Sequence, residues 1–348
     1  MSSEANGKPG SSSRRNFIKA TGAVTAGLVA QGISEEVAIA VPPLPFNPAT
    51  PQAMPTRNLG RTGFRVGIFS LGGQATVEQP NKEAEAVAIV ETAIDLGVNY
   101  IDTAPQYGGT GRWSQRYVGQ VMKRRRKDVY LASKTHDRTR DGSLKLLEES
   151  LRLLNTDHLD AWQLHHVSSR DDVDQIFAKG GAIEAMQQAR DQKMVRFLGV
   201  TGHTDPDVLM ECLRRFPFDQ ILMAVNAADP HHLSFQDKLL PMAVEKQMGI
   251  IGMKIPARGR LLSNWPAVGP YAPGKKRAGP LGIKDALYYV LSLPVSTVII
   301  GCDSVEQLAE NVKLAREFTP LSEQQRAALA AKAEPLAREA LFFRRWNS

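Results

Sequence analysis

Hydrophobic residues along this chain form short runs that alternate with stretches of helical periodicity. Short apolar runs predict strands, and apolar residues recurring every three or four positions predict helices. The predicted strands are 68–71, 99–102, 129–133, 159–164, 197–201, 220–225, 250–254 and 297–300. The predicted helices are 82–96, 114–124, 143–154, 182–192, 206–215, 235–247, 283–292 and 304–317. This alternation predicts an α/β fold, the (β/α)8 or TIM barrel.

Three further features complete the predicted architecture. The segment TRNLGRTGFRVG (56–67) has a Gly-Arg-Thr-Gly turn between extended pieces and predicts an N-terminal β-hairpin. Ser304 followed by Gln307 predicts a capping box at the last barrel helix. Residues 322–340 predict an additional C-terminal helix, which Pro335 should kink or split. A doubly wound sheet is the alternative, but no G-x-G-x-x-G follows the first strand.

The N-terminus has the features of a twin-arginine (Tat) export signal. Residues 13–19 read SRRNFIK, a charge-free and mildly apolar stretch follows over 20–33, and Ala38-Ile39-Ala40 is a small-x-small cleavage site. The apolar stretch is too short to span a bilayer stably. We therefore expect a signal peptide over 1–40, the Tat export machinery as a partner, and a periplasmic protein. A Pro-rich linker, 41–55, precedes the barrel domain, 56–348.

Composition and charge restrict the class of protein. The chain has 348 residues and a formal charge of +7. Its densest basic run, KRRRK at 123–127, lies at the end of a predicted helix, where cations complement the helix dipole. We therefore expect no nucleic-acid partner. The two cysteines, Cys212 and Cys302, fall in different elements, which excludes a disulfide framework and a cysteine-rich metal site.

Four side chains with complementary chemistry lie at successive strand ends. Asp102 and Tyr107 follow one strand, Lys134 ends the next and His165 the one after. The carboxyl ends of barrel strands share one face, so these groups should converge. An ammonium beside a phenol should lower the phenol's pKa, and an imidazole can hold a substrate carbonyl. This set suits proton delivery to a carbonyl oxygen, with hydride supplied by a nicotinamide.

These motifs resemble those of the aldo-keto reductases over roughly residues 56–318. The matching segments are GVNYIDTAPQYG, a strand ending in Ser133-Lys134, LDAWQLH, and VIIGCDSVEQLAEN at 298–311. The resemblance implies a general acid at Tyr107, tuned by Lys134 and Asp102, with the carbonyl oriented by His165. The implied reaction interconverts an aldehyde, ketone or sugar carbonyl and its alcohol, using NADP or NAD.

The cofactor end departs from the family pattern. Thr201 and Gly202 stand where Ser-Asn is usual, Leu222 replaces a glutamine, and Met253 or Lys254 replaces an aromatic. The implied cofactor-binding residues are Thr201, Gly202, Asn226, Lys254, Arg258, Gly301, Asp303, Gln307, Glu310 and Asn311. An acid near the adenosine ribose favours NAD, whereas basic residues of the long loop 255–282 could bind the phosphate of NADP. These residues are Arg258, Arg260, Lys275 and Arg277.

Two other functional classes remain open from the sequence. Six histidines lie at or beyond strand ends, which is compatible with a metal-dependent hydrolase. These are His136, His165, His166, His203, His231 and His232. No His-x-His occurs in the first strand, so we expect no metal site. The altered nicotinamide contacts are compatible with a non-catalytic barrel that binds a sugar or a partner protein.

Overall fold

The computed structural model describes residues 42–263 and 278–346. The predicted signal peptide and the loop residues Lys275 and Arg277 lie outside the described residues. From Pro43 onward the chain forms one compact unit. No helix in the described ranges is both long and apolar enough to cross a membrane.

The predicted eight-stranded parallel barrel is confirmed. Its strands close in the order β10-β3-β4-β5-β6-β7-β8-β9. Every strand end lies within two residues of its predicted position. The strands are β3 (Phe69–Gly72), β4 (Tyr100–Asp102), β5 (Tyr130–Thr135), β6 (Leu159–Leu164), β7 (Val195–Gly202), β8 (Gln220–Ala224), β9 (Gly249–Met253) and β10 (Thr297–Ile300).

The predicted N-terminal hairpin is also present. Strands β1 (Thr56–Asn58) and β2 (Arg65–Gly67) pair antiparallel. Leu59, Phe64 and Val66 of this hairpin belong to the buried cluster inside the barrel, so the hairpin contributes to the core. The segment before it is extended only in part, because it contains helix α1 (Thr50–Ala53).

That N-terminal segment is attached to the barrel by specific contacts. The side chain of Asn47 donates to the carbonyl of Ile94 at 2.9 Å, and Thr50 donates to the carbonyl of Gly97 at 2.7 Å. Gly97 has a φ of +90°, and a Cβ there would lie 2.5 Å from the Cβ of Ala53. Glycine therefore allows both the turn after the preceding helix and the close approach of α1.

Helices alternate with the strands as predicted, with one addition. The helix α5 was not expected; its N-cap Ser169 accepts from the backbone N–H of Asp172, and it buries only Val173 and Ile176. Such a narrow apolar face gives little periodic signal. The helices are α2 (Glu83–Asp95), α3 (Trp113–Arg125), α4 (Arg140–Leu153), α5 (Arg170–Phe177), α6 (Ala182–Asp191), α7 (Pro206–Arg215), α8 (Leu239–Glu245), α9 (Ile283–Leu291) and α10 (Val305–Arg316).

Helix α8 begins later than the predicted span 235–247. The reason is the buried carboxylate of Asp229, which accepts hydrogen bonds from Ser234 Oγ at 3.0 Å and from the backbone N–H of Phe235 at 3.2 Å. These residues are held around the carboxylate and do not enter the helix. Side chain to backbone bonds of this kind compete directly with helix formation.

The helix ends show which cap predictions hold. Ser304 accepts from the backbone N–H of Gln307, as expected. The capping box is only half formed, because Gln307 accepts from the N–H of Asp303 at 2.9 Å. The C-terminal helix is split at Pro335 into α11 (Glu323–Ala333) and α12 (Ala337–Ala340).

The basic run at the end of α3 is used in ion pairs. Arg125 pairs with Asp95 and Asp128, and Arg126 pairs with the fully buried Asp160. Arg124 pairs with Glu91. The three arginines of this run are therefore paired with carboxylates of the fold.

The C-terminal tail packs against the barrel at the strand ends. The Arg344 guanidinium donates to the carbonyl of Ala224, the last residue of β8, at 2.9 Å. Phe343 packs against the buried core cluster, and its ring centre lies 5.9 Å from that of His203. Trp346 stacks on His232 at 3.7 Å. The tail therefore covers part of the face on which the candidate site lies.

Candidate active site

The four predicted catalytic side chains lie at the carboxyl ends of three neighbouring strands. Asp102 ends β4, and Tyr107 lies in the loop that follows. Lys134 is on β5, and His165 directly follows β6. In the strand register, Asp102 is opposite Ala132 and Lys134 is opposite Gln163. The structure therefore brings the four together at one end of the barrel.

Asp102 and Lys134 form a buried ion pair below the site. The Lys134 amine donates to Asp102 Oδ2 and, at 2.9 Å, to the backbone carbonyl of Thr103. Asp102 Oδ1 accepts from Gln163 Nε2 at 3.1 Å. Burial lowers the pKa of Lys134 and raises that of Asp102, while the opposite charge of each partner counters both effects. Gln163 was not predicted, although it lies two residues before His165 on the same strand face.

The Tyr107 ring lies beside this pair. The Lys134 amine is 4.7 Å from the ring centre. Burial first, and then the charges of Asp102 and Glu78, raise the pKa of the Tyr107 phenol well above its usual value. The phenol pKa is therefore raised and not lowered as expected, because burial and the two carboxylates outweigh the nearby charge of Lys134, which is paired with Asp102. The phenol keeps its proton at neutral pH, which suits a proton donor.

The loop that carries Tyr107 requires a glycine immediately after it. Gly108 has a φ of +87°, and a Cβ there would meet the backbone nitrogen of Trp113 at 2.7 Å and the carbonyl of Glu78 at 2.8 Å. Any other residue would be strained at this position. The turn keeps Tyr107 close to the end of β4.

His165 stands edge-on to Tyr107. Their ring centres are 5.8 Å apart with planes 84° from parallel. The Nδ1 atom of His165 is buried and has no hydrogen-bond partner among the described residues. Burial, followed by the charge of Lys134, lowers the pKa of His165 well below its usual value. The imidazole is therefore neutral near pH 7, so one of its ring nitrogens carries a proton that it can donate.

A cavity of about 490 Å³ adjoins two of these four residues, Asp102 and Tyr107; Lys134 and His165 are not part of its lining. The cavity is also lined by residues of the loops after β3, β9 and β10. Of the predicted cofactor-binding residues, the lining includes Lys254, Arg258, Gly301, Asp303, Gln307, Glu310 and Asn311. A cavity of this size is typical of a site for a small molecule or part of a cofactor.

The three other predicted cofactor residues do not line this cavity. Thr201 and Gly202 are buried at the end of β7, where the Thr201 hydroxyl accepts from the backbone N–H of His166 at 2.9 Å. Asn226 follows β8 and donates to the carbonyl of Lys254 at 3.1 Å, which connects two neighbouring strand ends. In this structure the side chains of Thr201 and Asn226 bond backbone groups at the barrel rim.

Among the cavity residues that were not predicted from the sequence, two carry polar side chains close to the candidate site. Gln74 and Glu78 lie in the loop after β3, and Glu78 is only 5% exposed. Burial raises the pKa of Glu78, opposed by its bond to Gln74 and the charges of Arg258 and Lys254. The sequence signal that could have identified Glu78 is its carboxylate in the loop directly after the first barrel strand.

The six strand-end histidines are used in different contacts. His166 Nδ1 and His203 Nδ1 are 2.8 Å apart and share a hydrogen bond. His231 contacts the carbonyl of Ala330 at 2.8 Å, while His232 stacks on the tail. Within residues 42–263 and 278–346, no group of three or more His, Cys, Asp or Glu side chains is arranged to hold a metal ion.

Comparisons with known proteins agree with this geometry. The model of the Aldo/keto reductase family matches residues 65–277. An L-galactose dehydrogenase of Arabidopsis thaliana is 30% identical over 76% of this chain and 89% of its own length. An uncharacterized oxidoreductase of Bacillus subtilis (strain 168) is 28% identical over 75% of this chain and 91% of its own length.

Solved structures show the same relationship. The holo form of an aldo-keto reductase from Bacillus halodurans has a TM-score of 0.64 and 26% sequence identity to this chain. The match covers 80% of this chain and 96% of that one. Barrel, strand-end side chains and relatives lead to one conclusion: the chain belongs to the aldo/keto reductase family of NAD(P)-dependent oxidoreductases.

Proposed function

We propose that this protein interconverts a carbonyl compound and its alcohol, with Tyr107 as the general acid and base. The observation that carries the proposal is the position of Tyr107. Its protonated phenol lines the cavity, close to the Lys134 amine and edge-on to His165. A phenol of raised pKa transfers its proton only to a strongly basic oxygen, such as the alkoxide that develops during carbonyl reduction.

The neighbouring residues have separate parts in this proposal. His165 is neutral and can donate a hydrogen bond to the substrate oxygen, which holds the oxygen near the Tyr107 hydroxyl. Lys134 is fixed by Asp102, and its positive charge stabilises the phenolate that remains after proton transfer. Gln163 fixes the carboxylate of Asp102 in turn.

The residues along the cavity fit a nicotinamide dinucleotide. Gly301 offers close backbone approach at the end of β10, and Arg258 supplies a cation suited to a phosphate. Asp303, Gln307, Glu310 and Asn311 line the part of the cavity contributed by β10, α10 and their connecting loop, and their polar groups suit an adenosine. When bound, such a cofactor supplies or accepts the hydride at the substrate carbon.

Replacing Tyr107 by Phe tests the assignment. We expect Tyr107→Phe to abolish turnover of aldehydes and alcohols while dinucleotide binding, followed by nicotinamide fluorescence, stays nearly unchanged. Tyr288→Phe removes a phenol from α9 that bonds the carbonyl of Leu314, and it serves as the matched control. Unchanged turnover in Tyr107→Phe would remove the assigned acid. No fluorescence response of the wild type to NADH or NADPH would favour a non-catalytic binding barrel.

We also propose that the protein is exported by the Tat route to the periplasm. The support is the SRRNFIK motif and the small-x-small site at residues 38–40. Changing both Arg14 and Arg15 to Lys should retain the protein in the cytoplasm, whereas changing Lys19 to Arg should not. Export of the double variant would contradict the proposal. Since free dinucleotide is scarce outside the cytoplasm, the exported and gel-filtered protein should carry tightly bound cofactor.

A further inference from the structure

Two lysines point into the carboxyl end of the barrel, and their surroundings differ. The Lys134 amine bonds a carboxylate and a backbone carbonyl. The Lys254 amine instead donates to the neutral side-chain oxygen of Gln74 at 3.1 Å. Lys254 forms no salt bridge with any carboxylate of the described chain. Of these two lysines, Lys254 is therefore the one that lacks a bond to a carboxylate, the kind of bond that specifically requires a charged ammonium.

Lys254 occupies a defined place in the cavity. It directly follows β9, has a φ of +62°, and its carbonyl accepts from Asn226 at 3.1 Å. Its side chain reaches from β9 past β10 to Gln74 in the loop after β3. Tyr107, Glu78 and Lys254 all line the same cavity. A molecule that enters the cavity beside Tyr107 therefore also meets the Lys254 amine.

The electrostatic surroundings favour a neutral amine at Lys254. Burial, followed by the charges of Arg258 and Lys134, lowers the pKa of Lys254 to about 7, opposed by Glu78 and Asp102. The imidazoles of His165, His166 and His203 are also within electrostatic reach of this amine. Desolvation and an adjacent cation are the two conditions that make a lysine nucleophilic in proteins.

We propose that Lys254 is a nucleophilic amine that captures small aldehydes or ketones in this cavity as a reversible imine. The nitrogen lone pair forms a bond to the carbonyl carbon while the carbon–oxygen double bond becomes a single bond; the oxygen gains one proton and the nitrogen loses one, which gives a carbinolamine. A second proton then reaches the oxygen, the carbon–oxygen bond breaks and water leaves, and the nitrogen loses its remaining proton as the carbon–nitrogen double bond forms. No oxidant or reductant is consumed, and water reverses the reaction.

Glu78 is placed to move the proton that this reaction needs. Both of its carboxylate oxygens accept from Gln74 Nε2 at 3.4 Å, and the same Gln74 accepts from Lys254. Burial raises the pKa of this carboxyl, which increases its protonated fraction at any given pH. A protonated carboxyl near the carbinolamine oxygen can protonate the departing water. Glu78→Gln should therefore slow imine formation without removing the amine.

Reductive trapping on protein from which any bound dinucleotide has been removed, as checked by its absorbance spectrum, tests the proposal. The wild-type protein is treated with a limiting amount of propanal and sodium cyanoborohydride near pH 7, and the alkylated lysine is located by peptide mass spectrometry. Compared with an ordinary exposed lysine, Lys254 has a neutral-amine fraction roughly a thousandfold larger at this pH. We expect the adduct on Lys254 long before surface lysines react.

Two variants are compared in this experiment. Lys254→Arg keeps a cation but removes the primary amine, and Lys332→Arg makes the same change on the exposed face of α11. The cavity adduct should be lost only in Lys254→Arg. Labelling of the native protein that spreads over surface lysines, or no labelling at all, would overturn the proposal. Because the adduct is located in the native protein, the result does not depend on the folding of either variant.

The trapping result is separable from the proposed oxidoreductase activity. It needs no dinucleotide, no turnover and no Tyr107 hydroxyl, so Tyr107→Phe should still form the adduct. If the cavity also binds dinucleotide, saturating NADH should protect Lys254 from labelling. Trapping without protection would support the amine chemistry and count against dinucleotide binding in this cavity.

Discussion

The ammonium of Lys134 and the carboxylate of Asp102 form an ion pair in which each side chain is only 1% exposed. Two buried charges are costly unless they are paired and their remaining positions bonded. Here the carbonyl of Thr103 and the amide of Gln163 provide those bonds at 2.9 and 3.1 Å. The pair places a fixed positive charge beside Tyr107, where proton transfer would leave a phenolate.

Breaking the pair from one side should destabilise the protein strongly. Lys134→Met leaves an unpaired buried carboxylate, and the expected loss in the free energy of unfolding is about 3–5 kcal/mol. The double variant Lys134→Met, Asp102→Leu removes both charges and should recover part of that loss. Urea denaturation of both proteins measures this. Equal losses in the two variants would show that the cost comes from packing and not from the unpaired charge.

Turnover should disappear in both variants, because both lose the charge beside Tyr107. The double variant therefore separates stability from catalysis: it is expected to be the more stable of the two and equally inactive. Dinucleotide binding measured by fluorescence is the control for an intact cavity. Recovery of turnover in the double variant would show that Lys134 has no part in the reaction.

The barrel and the four strand-end side chains could be predicted because both depend on local pattern. Apolar runs locate the strands, and the carboxyl ends of all the barrel strands lie at the same end of the barrel. Residues at successive strand ends are therefore expected to lie close together. The roles of Gln74, Glu78 and Gln163 depend on which loop folds against which strand end. That information comes from packing between distant segments, and the local sequence does not contain it.

The protonation of the site was the least predictable property. Lys134 beside Tyr107 suggested a lowered phenol pKa, but burial and two carboxylates raise it. The degree of desolvation depends on the complete fold around a group. The same reasoning applies to Lys254. The sequence indicated it as a replacement for an aromatic residue and as an implied cofactor contact, but its burial beside Arg258 became evident only in the structure.

His165 should make stability fall as the pH decreases. Burial lowers the pKa of folded His165 well below 6.5, while the unfolded residue still takes up a proton near about 6.5. Below that pH the unfolded state therefore binds more protons than the folded state. The contribution of neutral His165 to the free energy of unfolding is complete only above it. At one pH unit below 6.5 the expected loss in the free energy of unfolding is about 1.4 kcal/mol.

The measurement compares urea denaturation of the wild type and His165→Asn near pH 7.5 and 5.5. His203 also has a strongly lowered pKa and remains in both proteins, so it cancels in the comparison. The wild type should lose more stability between the two pH values than His165→Asn does. Identical pH dependence in the two proteins would show that His165 is not held neutral.

Asp303 should favour NADH over NADPH. Its side chain lines the cavity beside Gln307, Glu310 and Asn311, and a carboxylate there would repel a 2′-phosphate. Asp303→Asn should therefore reduce the ratio of the NADPH dissociation constant to the NADH dissociation constant. We expect a reduction of roughly tenfold, which corresponds to about 1.4 kcal/mol in relative binding free energy. Titration calorimetry measures both constants. Asp141→Asn on α4, where the side chain is 87% exposed, is the control.

Tighter binding of NADPH that is unaffected by Asp303→Asn would contradict this prediction. In that case the phosphate contact would have to come from cations elsewhere in the long loop after β9. The candidates named from the sequence are Arg258, Arg260, Lys275 and Arg277. Replacing each of these residues in turn by Glu, and measuring the dissociation constant of NADPH, would then identify the residue that contacts the phosphate.

Arg344 should fix the C-terminal tail on the barrel. Its guanidinium is fully buried, pairs with the equally buried Asp229, and lies 3.7 Å from the ring centre of Phe235. Arg344→Met leaves Asp229 without its cation and should lower the free energy of unfolding by about 3–5 kcal/mol. Arg345→Met removes a neighbouring side chain that is 58% exposed and pairs with Asp205, and it should cost less than about 1 kcal/mol.

Loss of the Arg344 anchor should also change the site, because Phe343 packs between the barrel core and His203. A tail that detaches without unfolding the barrel would expose Trp346, whose fluorescence would shift to longer wavelength well before the main urea transition. The KM of the carbonyl substrate should rise in Arg344→Met, because an apolar wall of the barrel mouth is removed. Dinucleotide binding along β10 and α10 should stay unchanged. Equal effects of Arg344→Met and Arg345→Met on stability and KM would show that the buried ion pair does not hold the tail in place.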